Sequence, residues 1–200
     1  MLLKELLSAF IAFLALVNPF QKLFVTTMLR NHYKRNELQR IVTRSNLTAL
    51  MVLMLFLFVG EFVLNHFFHL QIYAFQFTCG LVLLYNGLMG LQKGSFLTIG
   101  DDVKVEDIIA VPLAIPMIAG PATITAVVSM PSIYGKWVTV GAVVLAIAVN
   151  WLVMWFSEPI GKFFTQHNML MPLIRIMGLI VAAIGVQMMF NALIVFMGIL

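Results

Sequence analysis

Long apolar runs alternate with short polar segments along the whole chain, and no stretch shows the two-residue alternation of a half-buried strand. The uninterrupted runs predict helices at about 6–29, 45–64, 72–92, 108–130, 137–156 and 171–199. Each reaches the roughly 20 residues that an α-helix needs to cross the hydrocarbon core of a bilayer. The predicted fold is therefore all-α and integral to the membrane, a single transmembrane domain over 1–200 with six transmembrane helices and the lipid bilayer as its solvent. Composition agrees: 62% of residues are hydrophobic, 10% are charged, and the mean hydropathy is +1.03. A water-soluble domain is excluded on these values, and six spans leave no room for a separate catalytic domain. The N-terminus carries Lys4 and then the first apolar run, as a signal peptide would, but the run continues without a small-x-small cleavage site, so it is read as a retained helix.

Charge changes the picture by orienting the helices. The net charge is +4 and the pI about 9.4, yet five basic residues, Arg30, Lys34, Arg35, Arg40 and Arg44, crowd into one segment between two apolar runs. Such a cluster is a topology signal, and no nucleic-acid partner is expected. Lys93, Lys104 and Lys162 fall on the same side, making eight basic residues against Lys4 and Lys136 on the other. The positive-inside rule then puts the basic side in the cytoplasm and both termini outside, in the cell membrane, or the inner membrane of a Gram-negative cell. Tyr33, Tyr73, Trp137 and Trp155 near helix ends fit the interfacial aromatic belt. One cysteine, Cys79, allows neither an intrachain disulfide nor a CxxC pair.

Prolines interrupt two of the runs near their midpoints: Asn18-Pro19 in the first, and Pro112, Pro116 and Gly120-Pro121 in the fourth. An offset of 102 superposes Pro19 on Pro121 and Met28 on Met130; an offset of 98 superposes Gly80 and Gly87 on Gly178 and Gly185. Two related halves follow, about 1–97 and 103–200. Three spans per half is odd, so the second half enters the membrane upside down, as two inverted three-helix repeats with proline-broken helices 1 and 4.

A proline inside a helix lacks an N–H and clashes with the carbonyl four residues earlier, which frees the carbonyls of Ala15 and Met117 at a depth where no water can take them up. The half-helix after each break starts with exposed N–H groups and a positive dipole end, a setting suited to a carboxylate. Asn18, Pro19, Phe20, Gln21 and Lys22 at one break, and Gly120, Pro121, Ala122, Thr123 and Thr125 at the other, form the candidate substrate-binding set. The plainer reading is a pair of packed, kinked helices, and the symmetry of the breaks weighs against it.

Other polar residues lie at membrane depth. Lys22 is about 10 Å from the cytoplasmic end of its helix, at 1.5 Å per residue, so complete snorkelling is difficult. Arg175 is shallower and can snorkel; Glu61 is interfacial. Gln76, Thr78, Asn86, Asn150, Gln187 and Asn191 are expected to bond across helices, and Gln76, Asn86, Arg175 and Gln187 are carried as a further part of a pathway. Gly178, Ala182 and Gly185 form a stripe for close helix packing. Asp101, Asp102, Glu106 and Asp107 read as a solvated cap for the fourth helix, and His66 and His69 lack further ligands, so neither a metal nor a cofactor is expected.

Asn18-Pro19-Phe20, the run Val111-Pro112-Leu113-Ala114-Ile115-Pro116-Met117-Ile118-Ala119-Gly120-Pro121, and Arg175-Ile176-Met177-Gly178 together resemble the MarC family of bacterial and archaeal membrane proteins, over nearly the whole chain. The resemblance implies six helices and kinship with the LysE group of exporters, among which neutral amino acid transport has been attributed to a MarC-type protein. Two positions depart from the family pattern: Phe20-Gln21 replaces a frequent aliphatic-Gly pair, and Cys79-Gly80 a frequent Gly-Gly.

The functional expectation is a secondary transporter that moves a small neutral or zwitterionic solute by alternating access, coupled to a proton or sodium ion, with homo-oligomerisation open. The rivals are an accessory membrane subunit whose polar residues only fasten helices, and an intramembrane enzyme. The enzyme lacks a nucleophile with a base, since all four histidines sit in connections or near helix ends.

Overall fold

The computed structural model describes residues 2–30, 33–93, 117–157, 159, 166–167 and 169–198. All regular structure among them is helical: α1 (Leu2–Val17), α2 (Pro19–Leu29), α3 (Arg35–Phe62), α4 (Ile72–Lys93), α5 (Pro121–Ser129), α6 (Pro131–Tyr134), α7 (Lys136–Trp155) and α8 (Leu170–Phe196). A π-helical turn, Val63–Phe67, extends α3. Among the described residues, five stretches are long and apolar enough to cross a membrane: Leu2–Thr27, Arg35–Phe62, Ile72–Gln92, Lys136–Trp155 and Met171–Phe196. The sequence predicts six. The fourth of these, 108–130, is described only from Met117, where a π-helical turn leads into the short α5. Its first part, with Pro112 and Pro116, lies outside the described residues, as do Asp101, Asp102, Glu106, Asp107, Lys104 and Lys162.

The second helix begins ten residues before the predicted start at 45. Arg35, Arg40 and Arg44, expected in a connection, are helical. The reason is amphipathicity: Leu38, Ile41, Val42, Ser45, Ala49, Leu53 and Leu57 recur every three or four residues and are buried, so the apolar stripe starts well before the run becomes apolar on all sides. Glu37 closes the start of α3, accepting the backbone N–H of Lys34 at 2.9 Å.

The helices pack as two groups. In the first, α1 and α3 both lie against α7, and α5 packs on α3 and α4. Ala9, Phe13 and Val17 of α1, the α3 stripe, and Ala142, Val143, Ala146 and Ile147 of α7 form one continuous core. A buried amide pair fastens it: Asn150 Nδ2 donates to Asn46 Oδ1 at 2.7 Å, and Asn46 Nδ2 donates to the Val42 carbonyl at 2.8 Å.

The second group is the antiparallel pair of α4 and α8, joined by glycines. A Cβ on Gly80 would meet the Gly185 carbonyl at 2.6 Å, and one on Gly87 would meet the Ala182 nitrogen at 2.3 Å and the Gly178 carbonyl at 2.6 Å. Backbone touches backbone at both points, which is how small residues allow helices to approach in lipid. The predicted Gly178, Ala182, Gly185 stripe is thus the face applied to α4. Gly135, at φ +84°, supplies the tight turn between α6 and α7 in a region that L side chains avoid.

Candidate functional site

The break between α1 and α2 is built at Asn18. Helical bonding runs to its own N–H, which donates to the Leu14 carbonyl at 3.0 Å. Asn18 then turns to φ +49°, a left-handed value that asparagine tolerates better than most residues. Pro19 follows at the first position of α2, where a missing N–H costs nothing. The Asn18 side-chain oxygen caps the new helix, accepting the Gln21 N–H at 3.3 Å.

The second break has the same design with other residues. Gly120 is extended at φ −79°, ψ 170°, and Pro121 opens α5. Thr123 bridges the gap: its hydroxyl accepts the Gly120 N–H at 3.2 Å and donates to the Ile118 carbonyl at 3.1 Å. That bond takes up a backbone carbonyl at a depth where lipid offers no donor.

Both breaks open onto one cavity of about 150 Å3. Asn18, Gln21 and Lys22 enter from the first break, and Gly120, Ala122 and Thr123 from the second. Asn86 of α4 adds an amide, while Leu16, Leu83, Met89, Met117, Val181 and Ile184 supply apolar wall. Lys22 is only 2% exposed, so it does not snorkel to the interface. Its ammonium donates to Gln21 Oε1 at 3.2 Å. No carboxylate lines the cavity among the described residues.

The remaining candidates lie elsewhere. Pro19 and Phe20 line a separate, more open apolar groove of about 490 Å3 with Ile11, Val149 and Ile180, which borders the cavity at Asn18 and Ile184, and Phe20 is 66% exposed. Pro121 holds its place at the start of α5 through its carbonyl, which accepts the Thr125 hydroxyl at 3.0 Å. Gln76 is half-buried on α4, and Arg175 and Gln187 are exposed on α8, outside the cavity. Among the described residues, the cross-helix bonding expected of the polar set is seen for Asn150. Thr78 donates to the carbonyl of Ala74 in its own helix, and Gln187 donates to Asn191 along α8. Sequence reasoning passed over the apolar wall and Asn46. A spacing signal existed for the wall, since Leu83 and Asn86, and likewise Val181 and Ile184, stand three apart next to the glycine faces.

Fold and site together define a multi-pass α-helical membrane protein in which two interrupted helices share a partly polar cavity. The chain belongs to the MarC family: the model described as MarC family integral membrane protein matches residues 3–197. Among its relatives, a UPF0056 membrane protein of Pyrococcus horikoshii is 32% identical over 94% of this chain and 93% of its own length. Another, of Methanocaldococcus jannaschii, is 30% identical over 96% of this chain and 97% of its own. A third, of Chlamydia muridarum, is 32% identical over 96% and 94%. No solved structure gives a significant match.

Proposed function

We propose that the protein is a secondary transporter of a small solute bearing a carboxylate, a small neutral amino acid being the type, and that the cavity between the two helix breaks is its binding site. The carrying observation is the convergence of α2 and α5, whose proline-led N-terminal ends share one cavity with the buried Lys22 ammonium. Two positive dipole ends and a cation without a carboxylate partner there call for an anionic group on the solute. Asn18, Gln21, Asn86 and Thr123 are available to orient an amine or a hydroxyl. The cavity is well below the roughly 300–1,000 Å3 of pockets for drug-sized ligands, which favours a small solute.

Alternating access between two inverted halves is part of the proposal. An operation that exchanges Gly80 with Gly178 and Gly87 with Gly185 turns the Gly80–Gly185 approach into the Gly178–Gly87 approach, and both are present. Antiparallel helices related in this way support a two-fold axis in the membrane plane. Asn46 and Asn150, on the second and fifth predicted spans, bond to each other. Both termini lie outside the cytoplasm in this scheme, and a proton or sodium ion is the coupling ion.

Flux measured with purified protein in liposomes, screened over amino acids with and without proton and sodium gradients, tests the reading. Saturable counterflow of a small amino acid is the expected result. Flux no greater than in empty liposomes for every solute would favour the accessory subunit instead.

A further inference from the structure

We infer that the outer face of α8 around Gln187 and Asn191 is the interface with a second copy of this chain. Both residues are exposed, and the bond from Gln187 Nε2 to Asn191 Oδ1, at 2.9 Å, runs along the helix. It leaves the Gln187 oxygen, one Gln187 N–H and both Asn191 N–H groups without partners among the described residues.

Depth makes this arrangement costly for a monomer. Gln187 lies nine residues before the end of α8 at Phe196 and seventeen after its start at Leu170. At 1.5 Å per residue these are about 13 Å and 25 Å, beyond the reach of a glutamine side chain. Hydrocarbon offers neither donor nor acceptor, and an amide left without partners there costs several kcal/mol on hydrocarbon-transfer scales.

The chemistry of the patch selects its occupant. Each copy offers unused donors and an unused acceptor within one turn of helix, so the face is self-complementary, as an isologous two-fold contact requires. Ile180, Ala183, Gln187 and Phe190 share this face at three- or four-residue spacing and are exposed. Small Ala183 lets two helices approach beside the amides. The cavity faces the inner side of α8 through Val181 and Ile184, so pairing at this face leaves it accessible.

The test is cross-linking in lipid membranes, in a Cys79→Ala background that removes the one native cysteine. Ala183→Cys, or Ile180→Cys as a second reporter on the same face, is expected to give a disulfide-linked dimer with iodine, which enters hydrocarbon and is reduced to iodide as the two thiols are oxidised. Leu55→Cys, 60% exposed on α3, is expected to remain monomeric under the same oxidation. Adding Gln187→Leu and Asn191→Leu together is expected to weaken self-association about tenfold by energy transfer on lipid dilution, on the scale of one or two interhelical amide bonds. Absence of the cross-link at both reporters overturns the interface. So does unchanged association in the double leucine variant.

Discussion

Replacing Gly87 by alanine adds one methyl group at the closest approach of α4 and α8. The new Cβ would stand 2.3 Å from the Ala182 nitrogen, 2.6 Å from the Gly178 carbonyl and 2.7 Å from the Ala182 Cα. All three are backbone atoms, so no rotamer change relieves the clash, and the helices must separate by about 1 Å to restore ordinary contact. Overpacking of this kind costs about 1–3 kcal/mol, more than the gain of up to about 1 kcal/mol from alanine's better helix propensity. Gly141 is the internal control, because its added Cβ meets only Leu6 Cδ1, at 3.3 Å, the end of a flexible side chain. Thermal unfolding in a fixed detergent, followed by loss of monodisperse protein, is expected to shift down by several degrees for Gly87→Ala and little or upward for Gly141→Ala. Leu83, Asn86 and Met89 flank Gly87 and line the cavity, so the separation should also alter solute handling. Equal melting of Gly87→Ala and the parent protein would refute the close crossing.

The Asn46–Asn150 bond should behave as a coupled pair. Asn150→Leu strands Asn46 Oδ1 and is expected to destabilise by about 1–3 kcal/mol, whereas adding Asn46→Leu recovers part of the loss in a double-mutant cycle. Strict additivity of the two changes would refute it. Thr123→Val removes the hydroxyl that bonds both Gly120 and Ile118 and is expected to lower transport more than protein abundance, with Thr123→Ser near normal. Parallel loss of both quantities would assign Thr123 a folding role alone. A C-terminal reporter active only in the cytoplasm should stay silent under the proposed topology, in which the basic connections face the cytoplasm. Full activity would invert the topology.

The helix breaks were legible in the sequence because proline acts locally: Asn18-Pro19 and Gly120-Pro121 interrupt the backbone whatever surrounds them. The glycine seam was legible for a similar reason, since a missing side chain announces close approach. The walls of the cavity were not. In lipid the outer surface is as apolar as the core, so Leu16 and Met89 carry no signal separating inward from outward faces, and Leu83, Val181 and Ile184 are marked only by their spacing beside the glycines. The start of α3 was missed because a threshold on apolar runs ends where a helix leaves hydrocarbon, although the stripe of Leu38, Ile41, Val42 and Ser45 continues the same face. The Asn46–Asn150 bond needed the packing of two spans 104 residues apart.

The central claim is that Lys22 holds the solute between the two breaks, and counterflow with purified Lys22→Met in liposomes tests it most directly. A hydrogen bond to a charged group is worth roughly 1.5–3 kcal/mol, so its loss should weaken apparent solute affinity about 10- to 100-fold. Lys22→Arg should retain part of the activity, and insertion should be normal for both. Counterflow by Lys22→Met with unchanged affinity and rate, at equal protein density, would contradict the account.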